Sequence, residues 1–132
     1  MWAAVPSGGH DRVKLKDVPT VLIVDDHPSF RTFARELLEL TGFEVVGEAA
    51  DGAAAIAAVA RLRPDVVLLD VQLPDLDGFE VAARLKGSGA AVVLTSSRGA
   101  RDHGARLRAA AAHGFIPKED LTGAALRAVL AA

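Results

Sequence analysis

Three short apolar runs dominate the pattern of this chain: residues 20–24 (TVLIV), 66–69 (VVLL) and 92–95 (VVLT). Each is β-branched or aliphatic almost throughout, and each stops on polar residues: Asp25-Asp26, Asp70 and Thr95-Ser96 respectively. A strand that is apolar on successive positions has no water-facing side, so it must be covered on both faces. Helix-period segments lie between the runs. Pro28 suits a first helical position, and Phe30, Phe33, Leu37, Leu38 and Leu40 follow at helical spacing up to Gly42, a glycine placed to end the helix. Residues 44–49 (EVVGEA) read as a weaker strand near a sheet edge, and residues 53–62 as an Ala-rich helix stopped before Pro64. Helices over 78–86, roughly 101–112 and 121–130, with a short strand at 114–117, complete the pattern. The alternation gives five strands and five helices: an α/β, doubly wound parallel sheet between helical layers, with right-handed crossovers.

Composition excludes several other classes. Over 132 residues, 51% are hydrophobic and 24% charged, enough for one globular core and too apolar for global disorder. No cysteine is present, which removes disulfides, thiolate metal sites and cysteine nucleophiles. The net charge of −2 does not point to a polyanionic partner. No apolar run reaches membrane-spanning length and the N-terminal segment has no signal-peptide core, so the expectation is a cytoplasmic protein without membrane or direct nucleic-acid binding. Residues 1–18 read as a flexible N-terminal tail and 19–132 as the folded domain.

In open α/β sheets, ligands sit at the carboxyl ends of the strands. Those ends carry Asp25, Asp26, Asp70, Thr95, Ser96 and, after the last strand, Lys118. Three carboxylates on one rim repel each other, and a hard divalent cation relieves that repulsion. A carboxylate can act as a nucleophile toward phosphorus, while an ammonium and a hydroxyl suit the phosphoryl oxygens. The combination points to Mg²⁺-assisted phosphoryl transfer onto an aspartate. Each residue also has an ordinary alternative: Asp25 and Asp26 as helix caps, Asp70 as a loop carboxylate, Lys118 as a solvated lysine. The joint occurrence at successive strand ends favours the site.

The stretches VLIVDDHPSFR (21–31), PDVVLLDVQLPDLDGFEV (64–81), VVLTSS (92–97) and GFIPK (114–118) resemble bacterial two-component response-regulator receiver domains. The DDHP start is most similar to the NarL/FixJ-type branch. The resemblance implies a flavodoxin/CheY-like three-layer sandwich with strand order 2-1-3-4-5. It implies that Asp70 accepts a phosphoryl group from a sensor histidine kinase or phosphotransfer protein. Asp25, Asp26, Asp70 and the backbone carbonyl of Gln72 would hold Mg²⁺. Thr95, with Ser96 as the alternative, and Lys118 would contact the phosphoryl group, and Phe115 matches the family's aromatic switch position. Pro74 and Gly78 fit the loop beside the acceptor. Signalling would pass through the face made by helix 4, strand 5 and helix 5 to an effector protein, an output domain or a second copy. No output domain follows within this chain, so the expectation is signalling through a partner, or a piece of a longer regulator. The chain would not be an enzyme beyond its own phosphorylation and dephosphorylation.

Two departures stand out. The family's lysine is usually followed by proline, whereas Lys118 precedes Glu119; and the spacing from Thr95 to Lys118 is about one residue long. They leave room for a degenerate receiver acting as a phosphorylation-independent interaction module. A haloacid-dehalogenase-like phosphohydrolase is disfavoured, because His27 and Gln72 stand where that chemistry wants a second carboxylate two positions after the nucleophile. His27 reads as a residue of the helix start rather than a metal ligand. His10, His103 and His113 lack ligand spacing, and Trp2 reads as an exposed tail residue. The arginine-rich stretch 98–108 reads as a solvated loop and helix.

Overall fold

The computed structural model describes residues 17–98 and 103–132. The tail expected over 1–18, with Trp2 and His10, falls almost entirely outside the described residues. In chain order the elements are β1 (Thr20–Val24), α1 (Pro28–Leu40), β2 (Glu44–Ala49), α2 (Gly52–Leu62), β3 (Val66–Asp70), α3 (Gly78–Arg84), β4 (Ala91–Ser96), α4 (Gly104–Ala109), β5 (Gly114–Pro117) and α5 (Gly123–Ala131). A single 3₁₀ turn, Lys118–Asp120, separates β5 from α5. All four strand pairings are parallel, in the order β2-β1-β3-β4-β5. The doubly wound expectation holds, and the weak strand β2 lies at an edge with Glu44 and Glu48 turned outward.

Strand alternation divides the core in two. Val21, Ile23, Val66, Leu68, Ala91 and Val93 pack toward Ala34 and Leu38 of α1 and Leu126 and Leu130 of α5. Leu22, Val24, Val67, Leu69, Val92 and Leu94 pack toward Ala55, Ala58 and Val59 of α2 and Val81 and Ala82 of α3. Nearly all of these side chains are inaccessible to solvent, and each buried Leu or Val stabilises the fold by roughly 1.5–3 kcal/mol. The strands start in register because Thr20 and Asp65 clasp each other: Thr20 N donates to Asp65 Oδ2 at 2.8 Å and Asp65 N to Thr20 Oγ1 at 2.9 Å. This clasp fixes where β1 and β3 end, and therefore which residues meet on the rim.

Helix boundaries follow local chemistry. Pro28 opens α1, and Gly42 leaves it with φ of +98°, a conformation that favours glycine. Asp51 caps α2 by accepting from Ala54 N at 2.7 Å, and Thr122 caps α5 by accepting from Ala125 N at 2.9 Å. Several predicted boundaries shift by one residue, and three move by two or more within the described residues. Helix α3 ends at Arg84 rather than residue 86, because Leu85 to Gly89 turn back, with positive φ at Gly87 and Gly89. Helix α4 ends at Ala109 rather than 112, its cap residue Ala110 being extended; the expected start at 101 lies outside the described residues. The last helix begins at Gly123 rather than 121, since the 3₁₀ turn and the Thr122 cap intervene.

Candidate functional site

The carboxyl ends of β1, β3 and β4 bring Asp25, Asp70 and Thr95 onto one rim, and all three are buried: 0%, 3% and 1% exposed. Asp26 is more exposed. Carboxylate oxygens of Asp25, Asp26 and Asp70 and a ring nitrogen of His27 all lie within 4.8 Å of one another. Lys118 reaches this cluster from the start of the 3₁₀ turn, with no cis peptide bond among the described residues. Its Nζ stands 2.6 Å from Asp25 Oδ2 and 3.2 Å from Asp70 Oδ2. The missing Lys-Pro unit therefore does not keep the ammonium from the carboxylates.

Helix capping does not account for the acidic pair. His27, not an aspartate, occupies the N-cap of α1, and no side chain caps the helix. Asp25 Oδ1 instead accepts from His27 N at 2.8 Å, immediately before the helix. The Asp25 backbone is itself tied down, its N–H donating to Ala49 O at 3.0 Å and its carbonyl accepting from Arg31 at 2.6 Å. Asp70 Oδ1 accepts from Gln72 N at 3.1 Å, which leaves Oδ2 to the lysine. Burial raises the Asp70 pKa above the ordinary carboxylate value, and the Asp25 charge adds to the rise against the lowering effects of the Gln72 N–H and Lys118. Burial works against the Lys118 charge, but the contacts with Asp25 and Asp70 overcome it and push that pKa up.

The two adjacent hydroxyls point to opposite sides of the sheet. Thr95 pairs in register with Asp70 and shares the face of Ala91 and Val93, the face on which Asp70 also falls. Its Oγ1 is buried and has no hydrogen-bond partner. Ser96 falls on the other face, where its Oγ accepts from Arg98 N at 3.0 Å and meets His103 Nε2 at 3.1 Å. A buried, unpaired hydroxyl costs stability and calls for an explanation such as an absent ligand. The Thr95 hydroxyl beside a carboxylate cluster and an ammonium is suited to a phosphoryl oxygen.

The loop that follows Asp70 leaves no room for a side chain at Gly78. A Cβ there would stand 2.3 Å from the Asp70 carbonyl oxygen and 2.5 Å from Val71 Cα, both backbone atoms. Gly78 N donates to Val71 O at 2.8 Å, and Gln72 pairs in a single bridge with Asp77. Asp75 ties the same loop to α2 by accepting from Gly52 N and Ala53 N at 2.7 and 2.9 Å. These amide bonds hold its pKa below the usual value.

The chain matches the family model described as the response regulator receiver domain over residues 21–130. It belongs to that family. Among curated relatives, the receiver domain is 41% identical to the nitrate/nitrite response regulator NarP of Escherichia coli over 115 residues, 84% of this chain and 53% of NarP. It is 46% identical over 69 residues to the transcription regulator BvgA of Bordetella pertussis, 52% of this chain and 33% of BvgA. The chain thus spans about half or less of the curated relatives it matches. Among solved structures, the signal receiver domain of NarL from Mycobacterium tuberculosis superimposes with a TM-score of 0.76 at 33% identity, covering 86% of this chain and 98% of that one. The receiver domain of a modulated diguanylate cyclase from Desulfovibrio desulfuricans gives 0.75 at 31% identity, covering 86% and 91%. The resemblance read from the sequence is upheld, including its NarL-like character.

Several contacts around the site were not legible in the sequence. Phe30 lies under Lys118, with Nζ 4.6 Å from the ring centroid. His103 stands between two aromatic rings, 5.9 Å from Phe79 and 5.8 Å from the half-buried Phe115. Arg106 pairs with Asp77 and stacks over Phe79 at 4.3 Å, so the arginine-rich stretch is not merely solvated. Only the helical spacing of Phe30 within α1 hinted at any of these. Among the described residues, no helix is long and apolar enough to cross a membrane.

Proposed function

We propose that this receiver domain is a phosphorylation-operated switch whose acceptor is Asp70. The observation that carries the reading is the buried Thr95 hydroxyl without a partner, in register with Asp70 whose Oδ2 faces the Lys118 ammonium. Asp70 Oδ2 attacks the phosphorus of a phosphohistidine on a sensor kinase or phosphotransfer protein. The new O–P bond replaces the P–N bond, and the donor imidazole leaves with the electron pair. Lys118 pairs with one phosphoryl oxygen, and the Thr95 hydroxyl donates to another; Ser96 is the lesser candidate because its oxygen is already engaged.

The donor set fits Mg²⁺: Asp25, Asp26 and Asp70 supply hard carboxylate oxygens, and by the family resemblance the Gln72 backbone carbonyl would be the further ligand. When bound there, Mg²⁺ supplies charge neutralisation for the phosphoryl oxygens. Catalysis is confined to the domain's own phosphorylation and dephosphorylation. Drawing Thr95 and Lys118 toward the phosphoryl group biases the packing of Phe115 and of the face formed by α4, β5 and α5. That face serves an effector protein, an output domain or a second copy, in the cytoplasm.

Intact-mass analysis after incubation with acetyl phosphate and Mg²⁺ tests the reading. A single phosphoryl adduct that Asp70→Asn abolishes is the expected result. No adduct with any phosphodonor would leave the interaction-module alternative standing instead.

A further inference from the structure

The Lys118 ammonium has two kinds of neighbour. Two are carboxylates, Asp25 Oδ2 at 2.6 Å and Asp70 Oδ2 at 3.2 Å. Another is neutral: the face of the Phe30 ring, whose centroid lies 4.6 Å from Nζ. Only 15% of the lysine side chain is exposed, so little water intervenes to weaken the attraction of the ammonium for the ring. The ring itself is held in place. It belongs to the first turn of α1 and packs against the core formed with α1 and α5. Phe33 leans on it with 6.2 Å between centroids. The next residue, Arg31, pins this turn to the rim through the Asp25 carbonyl at 2.6 Å and Glu48 at 2.9 Å.

We infer that Phe30 is a positioning residue for Lys118, its ring keeping the ammonium inside the site when Asp25 and Asp70 are engaged elsewhere. The inference rests on the reading of Asp70 as the phosphoacceptor and of the acidic cluster as the Mg²⁺ site. A lysine carries its charge on a flexible four-carbon stem, and an ammonium without a partner swings out to water. Both carboxylates that face the ammonium are groups that would also ligate Mg²⁺. In doing so they lose most of their attraction for Nζ, which then stands beside a like charge. The Phe30 ring is uncharged and offers no oxygen to a hard cation, so its hold on the ammonium is unaffected. Leucine at this position would still pack against the core but would present no π face.

The test combines NMR of the Lys118 side chain during titration with Mg²⁺ alone and the rate of adduct formation with acetyl phosphate and Mg²⁺. Wild type, Phe30→Leu and Phe30→Tyr are compared. In wild type the Lys118 ε-methylene protons are expected upfield of the free-lysine position, shielded by the ring, and remain upfield at saturating Mg²⁺. Phe30→Leu is expected to slow adduct formation at saturating Mg²⁺ by roughly five- to tenfold, with the half-saturating Mg²⁺ concentration changed by less than about twofold. Phe30→Tyr keeps the ring face and stays within about twofold of the wild-type rate. A Lys118 methylene that moves to the free-lysine position as Mg²⁺ binds overturns the inference, and that measurement needs no variant. Phe30→Leu reacting at the wild-type rate also overturns it, as does Phe30→Tyr reacting as slowly as Phe30→Leu, since the ring would then serve only as packing. With a wild-type adduct formed, either result removes this inference alone. If wild type forms no adduct with any phosphodonor, the phosphoacceptor reading fails and the inference fails with it.

Discussion

Replacing Thr95 by valine should stabilise this domain while impairing its switch. Val keeps the branched shape of Thr and exchanges the hydroxyl for a methyl group. At most buried threonines that exchange is unfavourable, because the hydroxyl has a partner whose bond is lost. Here Oγ1 is fully buried and has none. An unpaired buried hydroxyl costs about 1–3 kcal/mol by mutational measures. Removing that cost should raise the unfolding free energy by about 1–2 kcal/mol, equivalent to roughly 3–8 °C in Tm for a domain of this size. In the phosphorylated state the sign reverses. The wild-type hydroxyl would then donate to a charged oxygen, a bond of about 1.5–3 kcal/mol, and Val cannot. Urea denaturation of wild type, Thr95→Val and Thr95→Ser, with and without acetyl phosphate and Mg²⁺, separates the two effects. Thr95→Ser keeps the hydroxyl and should lose about 1 kcal/mol from its missing methyl in both states. A Thr95→Val variant less stable than wild type by 1 kcal/mol or more without phosphodonor would show that the hydroxyl is satisfied, and would refute the reasoning.

Lys118→Met should destabilise the protein by on the order of 2 kcal/mol at neutral pH, since Asp25 and Asp70 would face each other without the ammonium now at 2.6 and 3.2 Å; millimolar Mg²⁺ should recover part of the loss in a thermal melt. Asp70 has a folded-state pKa above its unfolded one, so the native state binds more protons and stability falls as pH rises from the ordinary carboxylate range through the raised value. Asp70→Asn should flatten that part of a stability–pH profile and leave the protein at least as stable as wild type at neutral pH. Asp75 is the opposite case: its contribution is present above the unfolded pKa and lost as pH falls through the depressed folded value. Asp75→Ala should speed hydrogen exchange at the Gly52 and Ala53 amides selectively. Gly78→Ala should cost about 1–3 kcal/mol by forcing backbone apart at Asp70, with phosphorylation slowed in the same variant.

Much of the fold was legible because strand signals here are local. Apolar runs at 20–24, 66–69 and 92–95 admit no arrangement but burial on both faces, and β2 betrayed its edge position through Glu44 and Glu48. Boundaries that depend on capping were less legible: the 3₁₀ turn at Lys118–Asp120 moved the start of the last helix, because Thr122 rather than Leu121 offers an oxygen to the first turn. The acidic triad and Lys118 could be read from the chain because strand ends converge in this topology whatever the side chains are. His27 could not. Its neighbours in sequence say only that it precedes a helix, and its contact with both aspartates depends on how the backbone leaves β1.

By itself the sequence determined the layers, the parallel sheet and which residues reach its rim, since periodicity and strand-end position are properties of neighbouring residues. Only the tertiary structure decided between residues that sequence leaves equivalent. Thr95 and Ser96 are adjacent hydroxyls, yet register with β3 sets one beside Asp70 without a partner and the other against Arg98 and His103 on the far face. Likewise Lys118 is 48 positions from Asp70, and only the crossover that brings β5 alongside β4 carries its ammonium to 3.2 Å from that carboxylate. Electrostatics and hydrogen bonding act over a few ångströms of space, not along the chain, so the choice among candidate side chains is made by the packing that determines those distances.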